Sequence, residues 1–164
     1  MIPQEFENRE QRPSIVNMPD ELFDLQRAES LLPQLDRLLQ SALGEKKRLH
    51  TFAQEQARLI ERIIVMGGSR VNQEQFSRCK TNKEESAERL RAAVEEIESL
   101  GCLLKDLDIG LVDFPSRAGD RDLYLCWKLG ETRIQFWHSI EEGFAGRKPL
   151  DKETIQQMQR SGPQ

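Results

Sequence analysis

Carboxylate, thiol, imidazole and guanidinium side chains gather between Gly101 and Leu150, where the chain carries Asp113, Cys126, Glu131, His138 and Arg147. The same stretch holds both tryptophans, the only tyrosine and two of the three cysteines. Thiolate, carboxylate and imidazole are the ligand types of zinc and iron, so Asp113, Cys126 and His138, with Glu131 near them in sequence, are candidates for a metal or acid–base cluster. The spacing carries no metal signature, because Cys79, Cys102 and Cys126 contain no CxxC pair. As an enzyme, the chain would use a pocket around Asp113, Glu131, His138 and Arg147, with His138 handling a proton and Arg147 gripping an anion.

Arg147 follows Gly143-Phe144-Ala145-Gly146, and glycines let backbone amides approach an anion that a guanidinium can hold. The segment is no P-loop. Its structural alternative is a brace, in which Arg147 pairs with Asp113 or Asp108 and pins the C-terminal loop across a sheet. Asp106-Leu107-Asp108-Ile109-Gly110 opens like a calcium loop. It then puts Leu111 where the turn glycine belongs and Arg117 where the bidentate Glu should sit, so a β-turn with Asp side chains bonding the backbone is expected. No GxSxG, HExxH or GxGxxG motif occurs.

The elements that must position these groups are helices first and strands later. Asp24 is placed to cap a helix whose seam runs through Leu25, Leu32, Leu39, Lys46, Ala53 and Ile60, and through Ala28, Leu35, Ala42, Leu49, Gln56 and Ile63. That phase is unbroken at Gly44 and predicts one helix on the order of 60 Å long, which contains Pro33. Gly67-Gly68-Ser69 ends it, and a second helix from about Val71 to Leu100 carries Ala87, Leu90, Val94 and Ile97. Paired antiparallel, the two leave Leu31, Leu38, Phe52 and Leu59 on a flank that calls for a partner helix, with self-association the economical source.

After Gly101 the period changes to that of strands, expected over Cys102 to Lys105, Leu111 to Phe114, Asp122 to Lys128 and Arg133 to His138. Leu129-Gly130-Glu131-Thr132 fits a two-residue hairpin loop with Gly130 at its first central position. That loop would pair Trp127 with Ile134, Leu125 with Phe136 and Leu123 with His138. One face would then carry the apolar set and the other Asp113, Tyr124, Cys126, Lys128, Arg133, Gln135 and Trp137, so His138 and Cys126 point to opposite sides. Asp151 is placed to cap a short helix bearing Ile155 and Met158.

The whole chain is therefore expected to be α+β, a long antiparallel helical hairpin packed with a small antiparallel sheet of three to four strands. Its expected parts are a mobile arm over 1–22, the hairpin over 23–100, the β module over 101–150 and a tail or short helix over 151–164. At 164 residues, 37% hydrophobic and 32% charged, it suits long solvated helices beside a thin core. Net charge is -4 with basic and acidic residues interleaved, which disfavours nucleic acid. No apolar run approaches the ~20 residues of a membrane span, and residues 1–20 do not read as a signal peptide, so the chain is read as cytoplasmic with reduced cysteines.

The order KDLDIGLVDFP, YLCWKLGE, WH and GFAGRKPL, preceded by FDLQRAESLLPQL, resembles the bacterial domain-of-unknown-function 2203 family from about Phe23 to Leu150. The resemblance implies no activity, cofactor or catalytic residue. From the residues, the leading expectation is a non-enzymatic interaction or scaffold module that self-associates through its helices into a homo-oligomer, with a protein partner as a further candidate. The alternative is a small-molecule or metal-dependent enzyme with its site in the C-terminal β module.

Overall fold

The computed structural model describes residues 21–67 and 73–160. The expected N-terminal arm up to Asp20, the expected stop at Gly68-Ser69 and the start of the second helix at Val71 lie outside them. A 41-residue helix, α1 (Leu25–Val65), is capped by Asp24, whose side chain accepts from the Arg27 N–H at 2.7 Å. It passes through Pro33 and ends before Gly67, whose φ of 65° is the left-handed value that glycine adopts without strain. The antiparallel return is α2 (Gln73–Ser99). Five strands follow as an antiparallel meander in chain order: β1 (Leu103–Asp106), β2 (Leu111–Ala118), β3 (Arg121–Lys128), β4 (Phe136–Ser139) and β5 (Lys148–Pro149). The last helix, α3 (Lys152–Arg160), is capped by Asp151, which accepts from the Thr154 N–H at 2.7 Å.

The fold is thus the expected α+β arrangement of a helical hairpin with a small antiparallel sheet, with five strands in place of three or four. The extra strand is β5, two residues long and containing Pro149, too short to show any alternation in sequence. Pro115 lies inside β2 where the β1 ladder has already ended, so its missing N–H breaks no bond there, and its carbonyl accepts from the Phe23 N–H at 2.7 Å. Ser116 donates to the Phe23 carbonyl at 2.5 Å, which ties the start of α1 to the middle of the sheet.

One apolar core joins the proximal half of the hairpin to one face of the sheet: Ala28, Leu32, Leu35, Leu39 and Ile97 with Val112, Phe114, Leu123, Leu125 and Trp127. Beyond Ala42 the helices pack on each other, and the buried stripe of α1 rotates. Glu45 and Leu59 are buried there, not Lys46 and Ile60. Leu31, Leu38, Glu45, Phe52 and Leu59 recur every seven residues; α2 meets the middle of this repeat, where Arg89 pairs with Glu45 at 3.3 Å and the Cys79 thiol donates to the Phe52 carbonyl at 3.3 Å, while Leu31 and Leu38 pack against the main core. The flank expected to need a partner helix is therefore served within the chain. On α2 the buried residues are Cys79, Ser86, Ala93 and Ile97, and Ala87 is exposed. Lys83 reaches Gln56 at 3.0 Å, so the polar middle of the hairpin is paired across the two helices.

Candidate functional site

The site depends on the register between β3 and β4. Leu125 stands opposite Trp137, Tyr124 opposite His138 and Cys126 opposite Phe136, one residue away from the register that a two-residue loop would give. A one-residue shift exchanges every side chain between faces. His138 therefore joins Asp113, Tyr124 and Cys126 on the side away from α1, and Trp137 moves to the core side with Leu123, Leu125 and Trp127. Asp113 is brought in from β2, directly opposite Cys126.

The loop explains the shift. Its turn is Lys128 to Glu131, closed by the Glu131 N–H donating to the Lys128 carbonyl at 3.0 Å, with Gly130 in the third position at φ 99°. That placement suits a type II turn, whose twist splays strands where a II′ turn would continue their pairing. Side chains fix it: the Glu131 carboxylate accepts from the Lys128 N–H at 2.9 Å, and the Trp127 indole donates to the Glu131 carbonyl at 2.8 Å. Ile134 then drops into the core with its N–H on the Glu29 carboxylate at 3.2 Å, and β4 begins only at Phe136.

Asp113, Cys126 and His138 are 2%, 0% and 3% exposed. One ligand-type atom from each lies within 4.8 Å of the other two. His138 Nε2 is 3.0 Å from Asp113 Oδ2, and His138 Nδ1 is 2.8 Å from the Ser139 carbonyl oxygen. No hydrogen bond of good geometry reaches Asp113 Oδ1, although the carboxylate lies beside the Cys126 thiol. Burial, and then the negative charge of Asp113, push the Cys126 thiol up to about 12, against an opposing pull from Arg147. Tyr124 packs its ring 5.4 Å from the imidazole, and burial followed by Asp113 raises its hydroxyl as well.

Arg147 and Glu131 form a second, adjoining unit. The Arg147 Nη2 donates to both Glu131 carboxylate oxygens at 2.9 and 2.8 Å and to the Cys126 carbonyl at 3.3 Å. Its guanidinium lies 4.1 Å from the Phe136 ring centroid and 5.1 Å from that of Phe144, in the short 3-10 turn Phe144–Gly146. The brace expected for Arg147 is present with a different partner, because Asp113 is taken by His138 and Asp108 pairs with Lys46 on α1. The Arg147 side chain is 13% exposed. Asp106 forms the expected turn, its carboxylate accepting from the Asp108 and Ile109 N–H groups at 2.8 and 3.3 Å.

A different buried thiol gives a pH prediction. Burial raises Cys102 from 9.0 to about 11. Below pH 9 the thiol is protonated folded and unfolded alike; between about 9 and 11 only the unfolded chain ionises, so stability falls as pH rises. Urea unfolding should show a decline of up to about 1.4 kcal/mol per pH unit from this group in that window, flattened in Cys102→Ala. A Cys102→Ala curve parallel to the parent's would contradict it.

These features define a class: a long helical hairpin seated on one face of an antiparallel meander, with a buried carboxylate–thiol–imidazole cluster on the other. The chain belongs to the family described as uncharacterized conserved protein (DUF2203), whose family model matches residues 21–150. No curated protein and no solved structure matches the chain. Among the described residues no helix is long and apolar enough to cross a membrane.

Proposed function

We propose that the protein is an interaction module of non-enzymatic type that self-associates through the far end of its helical hairpin. The observation that carries this reading is the apolar tip. Ile60, Ile64, Val65 and Met66 are 43%, 75%, 78% and 56% exposed, and they make up most of the exposed large hydrophobic residues in the described chain. At 100° per residue Ile60 and Ile64 continue the side of α1 that Ala28, Leu35 and Ala42 bury, but they lie past the end of the sheet. The stripe thus outruns its intramolecular partner. A second copy supplies the simplest cover, because an apolar patch is self-complementary about a two-fold axis. Three unpaired thiols, Cys79, Cys102 and Cys126, suit a reducing compartment and support a cytoplasmic setting.

The experiment is light scattering on the full chain at increasing concentration. The parent should show a mass above that of the 19.0 kDa protomer. The double variant Ile60→Glu, Ile64→Glu should return to the protomer mass with unchanged helicity, since both positions are exposed. A parent that stays monomeric at high micromolar concentration removes the reading, and so does a double variant that associates as the parent does.

A further inference from the structure

We propose that Asp113, Cys126 and His138 form a binding centre for one divalent transition-metal cation, of the zinc class, held by one carboxylate oxygen, one thiolate and imidazole Nε2.

The Ser139 carbonyl can only accept, so His138 Nδ1, at 2.8 Å, must be the nitrogen that carries hydrogen. In a neutral ring this leaves a lone pair on Nε2, and that lone pair faces a carboxylate oxygen at 3.0 Å. Two acceptors do not attract each other. Something positive belongs between Nε2 and Asp113, either an additional proton or a metal ion. A histidine that donates Nδ1–H to a backbone carbonyl and turns Nε2 inward is the arrangement that orients a metal ligand.

Two further observations favour the metal over the proton. A shared proton satisfies one oxygen of Asp113 and leaves Oδ1, buried and without a well-formed hydrogen bond, unanswered. The Cys126 sulfur lies within 4.8 Å of the other two ligand atoms, close enough to serve as a third ligand. Zinc–ligand bonds of 2.0–2.3 Å at tetrahedral angles separate ligand atoms by about 3.3–3.7 Å. The existing spacing reaches that with side-chain shifts on the order of an ångström. The three residues stand on adjacent strands with Asp113 directly opposite Cys126, so rigid ladders set the separation.

Charge points the same way. One carboxylate and one thiolate neutralise a dication, as a site this buried requires. A thiolate beside an imidazole selects against magnesium and calcium, and three protein ligands leave one tetrahedral position for water or a small anion.

The test uses the full chain stripped of metal with a chelator and titrated with zinc chloride against a chromophoric competitor. The expected result is one zinc per chain, with the Cys126 thiol proton released in weakly buffered solution. Cobalt(II) in place of zinc should give a sulfur-to-cobalt charge-transfer band in the near ultraviolet. Cys126→Ala, a small change in a packed position, should abolish that band and weaken zinc by at least about tenfold, as should His138→Gln. Should His138→Gln fail to fold, the Cys126→Ala spectrum decides alone. Absence of saturable one-to-one binding by the folded parent would overturn the proposal, as would binding that Cys126→Ala leaves unchanged. Neither outcome bears on the hairpin tip, so this inference and the association reading fail separately.

Discussion

Replacing Asp113 with alanine should destabilise the metal-free protein by about 3–5 kcal/mol in urea unfolding, the cost of leaving one member of a buried carboxylate–imidazole couple without its partner. His138 is almost wholly buried, and its Nε2 has Asp113 Oδ2 as its hydrogen-bond partner. Asp113→Asn is the informative control. Its amide can donate to a neutral Nε2 while keeping the side-chain shape, so its loss should stay near about 1 kcal/mol. Equal large losses from both substitutions would mean that the carboxylate is held by something other than His138.

A comparable loss, about 3–5 kcal/mol, is expected for Trp127→Ala. The indole is among the largest fully buried side chains, at the centre of the core-facing side of β3. Its N–H also holds the Glu131 carbonyl, and Glu131 in turn fixes the Lys128–Glu131 turn and the Arg147 brace. Trp127→Phe should recover most of the packing but not this bond. If so, its residual loss will be accompanied by changes in the amide signals of residues 129–135. A loss below about 1.5 kcal/mol for Trp127→Ala would show that the turn and the core tolerate its absence and that the tryptophan does not organise the loop.

Elements whose cause is local were legible in the sequence. Asp24 and Asp151 were readable as caps because a short acidic side chain before an apolar-periodic run has few other uses. The continuity of α1 through Gly44 followed from phase. What failed depended on distant partners. The seam of α1 could be followed to Ala42; beyond it the buried stripe turns toward α2 while Lys46 still reaches Asp108, and a heptad count made along α1 alone cannot see that change. Leu31, Leu38, Phe52 and Leu59 consequently looked unpartnered, although seven-residue spacing through Glu45 marked them as a single covered face.

The candidate residues Asp113, Cys126 and His138 were identifiable by type, and their convergence was not. A loop read as Leu129 to Thr132 sends His138 to the core and Cys126 away from it. The true turn lies one residue earlier and is held by side-chain bonds from Glu131 and Trp127, with Ile134 anchored to Glu29 on a helix more than a hundred residues away in sequence. The partner of Arg147 was missed for a related reason. Glu131 seemed a loop residue, and Asp113 and Asp108 were equally suitable acceptors until His138 and Lys46 were known to engage them.

β3 and β4 pair so that Asp113, Cys126 and His138 share one face of the sheet. Cross-strand nuclear Overhauser contacts between backbone protons of isotope-labelled protein test it most directly. Contacts should place Tyr124 opposite His138 and Leu125 opposite Trp137. Contacts that place Leu123 opposite His138 and Leu125 opposite Phe136 would contradict it, turning His138 into the core and dissolving the cluster.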